Sequence, residues 1–404
     1  MTGSRLMLAV DIGTSGARAV LFDARAQHLA QARRGYDTSF PQPGWSEQNP
    51  NAVAEAVIEA LREVVAAADA GRSLAGIVVS AQMYSILALD RTGAPLSNTL
   101  TWGDTRSATL ADDARRSASE ALFLRTGCPI QAIYPLAKIR WLKANLDLPD
   151  DARFASIKDY VLLRLTDQLV TDWSTASASG LLNVARHVWD DEALALGGIS
   201  AGNLPELLSS RHVLRRWRSD VAAHIGIPDD TPLIMGAGDA PLANIGVGAV
   251  GAGTLAINIG TSAAARVLTS HPQADAAGQL WTYVADEDHW VTGGIIGSGG
   301  AAYEWLLKRL LLAHRHAPVD ELFRKSTGWR RPSRRSRVGC RSSRICPGSR
   351  KSRWKTRKRK GLACMTFQHD TDTSSALPSK GWRSRCCGWQ TPSRTARLRR
   401  PDRI

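Results

Sequence analysis

The stretch DIGTSGARAV at residues 11–20 is echoed by NIGTSAAARV at residues 258–267. An apolar run suited to a buried strand precedes each copy, at residues 6–10 and 254–257. Small residues follow, then Arg-Ala-Val in the first copy and Arg-Val-Leu in the second, which continue as another strand. Two strands joined at a Gly-Thr-Ser turn make a hairpin whose tip offers backbone N–H groups and two hydroxyls. Glycine lets backbone approach a ligand closely, and clustered N–H groups form an anion-binding concavity. Gly13, Thr14 and Ser15 at one tip, with Gly260, Thr261 and Ser262 at the other, are therefore expected to grip a polyphosphate from two sides.

Outward from the first hairpin, residues 6–10, 17–23 and 29–36 read as a three-stranded meander. NPNAVAEAVIEALREVVAAADAG follows, with Val53, Val57, Leu61 and Val64 at helical spacing, Pro50 near the start and Gly71 as the stop. Residues 76–80 form another apolar strand, followed by shorter ones at 85–90 and 98–102. Residues 105–225 read as mostly helical. A strand at 233–236 leads through Asp239 into a small-residue helix at 240–250. The second hairpin then restarts the pattern, with Trp290–Ile296 as its third strand. The fold class expected is α/β, with two ribonuclease-H-like domains of the actin and hexokinase type around a cleft, the second incomplete. Residues 1–245 would hold the substrate and phosphate side, residues 246–328 a partial nucleotide side, and residues 329–404 a basic tail.

Charge divides the chain at the same place. The formal net charge of +15 points, taken alone, to nucleic acid. Residues 330–404, however, hold 23 Lys and Arg against 3 Asp and Glu, which leaves 29 against 34 in residues 1–329. The body is mildly acidic, and nucleic acid is not its expected partner. Cys128 is the body's one cysteine, which suits a reducing cytoplasm. MTGSRLMLAV has no sustained apolar region and no run approaches membrane-spanning length, so neither export nor a membrane is expected. The tail shows no helical or strand period, and Cys340, Cys346, Cys364, Cys386 and Cys387 are poorly spaced for zinc. Its mixture of Arg, Ser, Pro, Cys and scattered Trp is what a GC-rich gene yields out of frame, and a disruption near residues 327–331 is the favoured reading. The alternative is a genuine basic arm on a non-catalytic nucleic-acid-binding protein.

Chemistry concentrates at a few positions. Asp11, at a strand end beside the first turn, is placed to hold Mg2+ against bound phosphates; Asn258 takes the matching place in the second copy. Asp239 lies among small residues at a strand-to-helix junction, where it serves either as the base that accepts a hydroxyl proton or as a helix N-cap. Tyr84, Trp102, Asp104 and Arg106 offer rings and polar groups for a polyol pocket. Gly293-Gly294 and Gly299-Gly300, read as opening a helix, provide either nucleotide approach or tight packing. The pattern Gly246-Val247-Gly248-Ala249-Val250-Gly251 closes a helix and is set aside.

Residues 6–325 resemble the FGGY-family carbohydrate kinases, most closely the gluconokinases and xylulokinases. The resemblance is carried by LAVDIGTSGARAVLFD, GWSEQNP, SAQMYSILALD, TLTWGDTRS, PLAKIRWL, KDYVLLRLT, TDWSTASASGLLNV, MGAGDAPLANIGVGAV and GTSAAARV. It implies ATP and Mg2+ as cofactors. Asp11 would help hold the metal and nucleotide, and Gly13, Thr14 and Ser15 would contact phosphate. Met83 and Tyr84 would contact substrate, Asp239 would act as base, and Thr261 and Gly300 would touch the nucleotide. Tyr84 stands where these kinases often carry His, and Ala240 where xylulokinases carry Asn; the late adenosine motifs are missing. The implied substrate is a sugar or sugar acid, gluconate ahead of xylulose; a gluconate carboxylate calls for a cation or several donors in the pocket, and Arg106 is a candidate that sequence alone does not place there. A homodimer is one expected assembly. The 404-residue chain itself is expected to turn over little, and limited proteolysis to trim it to a fragment ending between residues 245 and 330.

Overall fold

The first hairpin is the centre of a six-stranded sheet in the computed structural model, which describes residues 6–70, 74–251, 253–260, 262–273, 275, 280–296 and 299. All of these fall in one unit, Met1–Cys364. The sheet uses β1 (Leu6–Ile12), β2 (Gly16–Phe22), β3 (His28–Gly35), β4 (Leu74–Ala81), β5 (Val213–Leu214) and β6 (Leu233–Gly238), in the order β5-β6-β4-β1-β2-β3. β1 pairs antiparallel with β2 and parallel with β4, and β4 pairs parallel with β6. Alternation decides which side is inside: Leu8, Val10 and Ile12 on β1 and Ala17, Ala19 and Leu21 on β2 are buried.

Helix α1 (Pro50–Ala68) covers that face with Val53, Val57, Leu61, Val64 and Val65. Burial of each large aliphatic side chain contributes about 1.5–3 kcal/mol. The Asn49 side chain accepts the Asn51 and Ala52 amides at the start. The helix stops at Asp69, in the left-handed region at φ 47°, ahead of the expected Gly71, which lies outside the described residues.

The stretch expected to be mostly helical contains helices, α2 (Ile157–Thr166) and α3 (Trp173–Ser177) among them, but also short strands. Arg153–Ala155, Val170–Asp172 and Glu206–Leu208 are three residues each. Strands that short cannot display a two-residue period, so the sequence does not announce them. The expected strands at 85–90 and 98–102 are shorter in the fold, at Leu87–Leu89 and Thr99–Leu100. After β6 the chain enters α4 (Asp239–Gly246), four residues shorter at its end than the expected helix.

The second hairpin, β7 (Leu255–Ile259) with β8 (Ala263–Thr269), belongs to a separate antiparallel sheet. Its other members are β9 (Trp281–Val284) and β10 (Trp290–Ile296), and the order is β7-β8-β10-β9. The sequence reading missed β9, whose four residues are all buried and show no alternation. This strand docks the second sheet on the first body. The Thr282 amide donates to the Gly127 carbonyl at 3.0 Å, and the Val284 amide to Ser177 Oγ at 3.0 Å. Gly127 holds φ 64°, and a Cβ there would run into the Thr282 carbonyl, so glycine is required. Trp290 Nε1 donates to the Val184 carbonyl at 2.7 Å.

β7 is an edge strand, and Leu255, Ile257 and Ile259 on it are 57%, 64% and 71% exposed. Among the described residues, an apolar edge of this kind favours self-association. Among the described residues no helix is long and apolar enough to cross a membrane. Thr261, Gly300 and the tail with its cysteines lie outside the described residues.

Candidate active site

Three parallel strands carry two carboxylates to one end of the main sheet. Asp11 on β1 is in register with Ser80 on β4, and Gly238 on β6 with Ala81. Asp239 follows directly as the first residue of α4, so the two acids are two strand spacings apart, about 10 Å at the backbone. The carboxyl ends of parallel strands are where open sheets collect functional groups. Ser80 Oγ donates to Asp11 Oδ1 at 3.0 Å; among the described residues Asp11 Oδ2 has no hydrogen-bond partner. Asp239 is exposed as a residue, while the protein around its carboxyl still withholds part of its solvation. That crowding of the carboxyl, with the Asp11 charge adding to it, pushes the Asp239 carboxyl up to about 6, against the opposing pull of the Ala240 amide and the Arg266 charge. Tyr36 donates to the Gly13 carbonyl at 2.5 Å, and burial followed by the Asp11 charge raises its hydroxyl well above the usual tyrosine range.

The first tip is held from several directions. Gly13 spends its amide on the Gly16 carbonyl at 3.2 Å, while the Thr14 and Ser15 amides have no partner among the described residues. Gln48 Nε2 donates to the Thr14 carbonyl at 2.7 Å, Trp102 Nε1 to Thr14 Oγ1 at 3.1 Å, and Arg33 to Ser15 Oγ at 3.0 Å. The turn therefore offers two free donors on a fixed frame. At the second tip the Gly260 amide donates to the Ser262 carbonyl at 2.8 Å. Gly299 lies against it: a Cβ there would stand 2.9 Å from the Ser262 carbonyl.

The expected pocket residues separate into two groups. Trp102 is 41% exposed and beside the Thr14 turn, with ring surface open to a ligand. Tyr84 is half-buried at φ 69° and donates to the Tyr283 hydroxyl at 3.2 Å, with Tyr134 on the same hydroxyl at 2.9 Å. Met83 is 2% exposed and packs on Gly238, where a Cβ would come within 2.8 Å of its Cγ and Sδ. It supports the junction from beneath rather than facing a pocket.

Asp104 and Arg106 are placed differently from the expectation. Arg106 makes a two-pronged pair with Asp104, Nη2 to Oδ2 at 2.7 Å, and reaches Glu47 at 2.7 Å. Its guanidinium lies 3.7 Å over the Trp45 ring and 4.8 Å from that of Trp141. Both side chains are almost wholly buried, and Asp104 also accepts the Ser46 amide at 2.7 Å. Arg106 is thus a braced structural cation, with no charge left over for a substrate carboxylate. Sequence could not show this, because Trp45, Glu47 and Trp141 meet it only in the fold. Arg106→Met is expected to cost about 3–5 kcal/mol, because the fully buried Asp104 carboxylate is left without its counter-charge and the cation–π contact is lost. Thermal denaturation checks it; an unchanged midpoint with weakened substrate binding would return Arg106 to the pocket.

Gly293 and Gly294 lie inside β10, not at the start of a helix. Gly293 pairs with Arg266 on β8, and a Cβ there would stand 2.9 Å from Arg266 Cγ. The sequence reading also passed over Ser80, Gln48 and Arg266. Arg266 had a signal: alignment of the two hairpins puts it opposite Ala19, a fully buried position of the first copy.

Residues 6–246 match the N-terminal domain of the FGGY family of carbohydrate kinases. Over 303 residues the chain is 35% identical to a gluconokinase of Bacillus licheniformis, covering 74% of this chain and 59% of the relative. The crystal structure of a gluconate kinase from Lactobacillus acidophilus superposes with a TM-score of 0.71 at 30% identity, covering 75% of this chain and 62% of that one. A ligand-bound xylulose kinase from the same organism gives 0.70 at 30% identity, with 74% and 62% covered. The chain spans about three fifths of the length of these relatives. With more than half of its residues matched in this way, the chain belongs to the FGGY family of carbohydrate kinases.

Proposed function

We propose that this chain carries the substrate and phosphate machinery of an ATP-dependent kinase acting on a hydroxyl of a sugar or sugar acid, with gluconate preferred to xylulose. The observation that carries the reading is the convergence of Asp11, Asp239 and the free Thr14 and Ser15 amides at one sheet end. The amides suit phosphate oxygens. Asp11, with one oxygen unpartnered, fits the hard-oxygen preference of Mg2+, which when bound would offset phosphate charge. Asp239 accepts the proton of the attacking hydroxyl, and the Trp102 ring covers sugar carbons. By resemblance, Gly260, Thr261, Ser262 and Gly300 would contact the nucleotide. Residues 1–245 form the substrate-side domain in this reading, and residues 246–328 belong to the nucleotide-side domain.

Gluconate is preferred because the Bacillus licheniformis and Lactobacillus acidophilus proteins named for it are among the most similar relatives, and because Ala240 lacks the amide that xylulokinases carry there. The test is ADP release on gluconate, xylulose and glycerol. One sample is the 404-residue chain; the other is a chimera whose residues from 330 onward are replaced by the corresponding Bacillus licheniformis segment. The chimera is expected to turn over gluconate fastest, and the 404-residue chain to show little turnover. A chimera that prefers an uncharged ketose overturns the substrate choice, and one that folds but phosphorylates none of the three overturns the function.

A further inference from the structure

Arg266 is a cation at a core-facing position. It lies on the inward side of β8 with Ala264 and Leu268, and the whole residue is 9% exposed. Its stem has been given room, since Gly293 opposite has no Cβ to meet it. Nε donates to Asn244 Oδ1 at 3.1 Å, and Asn244, on α4, is itself fully buried. That bond fixes the guanidinium beside the helix that begins with Asp239. Among the described residues, no carboxylate lies within 4 Å of Arg266, and its two terminal amino groups have no hydrogen-bond partner. With its stem buried and its terminal amino groups still reached by solvent, the guanidinium is held in place with two donors available to an anion. Arg106, by contrast, has two carboxylates and two indole rings.

We propose that Arg266 is the oxyanion receptor of the Asp11–Asp239 site, its terminal amino groups taking a carboxylate or phosphoryl oxygen of the bound ligand. The proposal deepens the sugar-kinase reading above and rests on it. The fork of Arg matches a two-oxygen anion in plane, which a lysine would not. Electrostatics places it near the reacting centre, because its charge favours the ionised form of Asp239. An anion bound there would lie within reach of both the hydroxyl to be phosphorylated and the group being transferred. The two sources of the oxyanion are a sugar-acid carboxylate and a phosphate.

Binding to the 404-residue chain separates them without requiring turnover. Calorimetric titrations with sodium gluconate, neutral glucitol and inorganic phosphate would be run on the parent chain, Arg266→Met and Arg266→Lys. If the carboxylate is the partner, Arg266→Met weakens gluconate about tenfold or more, leaves glucitol and phosphate unchanged, and Arg266→Lys keeps part of the affinity. If phosphate is the partner, its affinity falls instead, with gluconate and glucitol unmoved. Either result supports the receptor role. Should Arg266→Met fail to fold, Arg266→Gln, which retains a donor for Asn244, carries the same comparison. Unchanged binding of both anions by a folded variant overturns the role of Arg266 and leaves the sugar-kinase reading standing. A parent chain that binds none of the three overturns both.

Discussion

Asp239→Asn, placed in the chimera described above, is expected to lower kcat by about two to four orders of magnitude, the usual worth of a positioned general base. The amide keeps the shape of the side chain but cannot take a proton. In the parent, kcat/KM should fall tenfold per pH unit below about 6 and level off above it, because crowding and the Asp11 charge hold the Asp239 carboxyl near that value. The sign for stability runs the other way. A carboxyl whose folded value lies above its ordinary 3.8 favours the protonated form, so ionisation costs stability as pH rises through this interval, and the cost is complete above about 6. Asp239→Asn should therefore be at least as stable as the parent at pH 7.5 while losing activity. Initial rates between pH 5 and 8 and a thermal melt of each protein check both halves. Retained turnover removes Asp239 from the chemistry; lost turnover with a lowered melt shows a structural part instead.

Lys158→Met is expected to be among the most damaging substitutions to folding. Lys158, on α2, and Asp172 are both fully buried and paired at 2.6 Å. Asp172 also caps α3, accepting the Thr175 amide at 2.8 Å and its hydroxyl at 2.7 Å. Removal of the cation leaves a carboxylate with hydrogen bonds but no counter-charge in a dry interior. Such a group typically costs about 3–5 kcal/mol. Asp159, whose carboxyl burial pushes up to about 7, stands close enough to feel the Asp172 charge and adds no relief. The double change Lys158→Met with Asp172→Asn should recover much of the loss, since an amide can still accept at the cap without a charge. Urea denaturation of the parent, single and double variants at pH 7 measures this. A single variant as stable as the parent would show that the pair does not contribute in the way described.

Much of this molecule is legible in order along the chain. The repeated Ile-Gly-Thr-Ser, the apolar runs before it and the helical spacing of Val53, Val57, Leu61 and Val64 are local patterns, and local patterns set hairpins and helices. Asp11 and Asp239 could be singled out because each sits at a strand end next to small residues, which sequence displays directly. What sequence could not display is contact between distant segments. Arg106 reads as a loop cation among polar neighbours until Trp45, Glu47 and Trp141 close around it. Met83 reads as a pocket residue until Gly238 is found packed on it. β9 has no alternation to reveal it because both of its faces are covered. Arg266 aligns with the buried Ala19 of the first hairpin, but only the fold shows that it lies beside Asn244, where, among the described residues, its charge meets no carboxylate. The chain by itself determined its two hairpins, its long first helix and the positions of its two acids, because backbone preference and apolar period act over a few residues. The tertiary structure alone decided which charges are satisfied and which remain available, because burial and electrostatic pairing depend on neighbours that lie far apart in sequence.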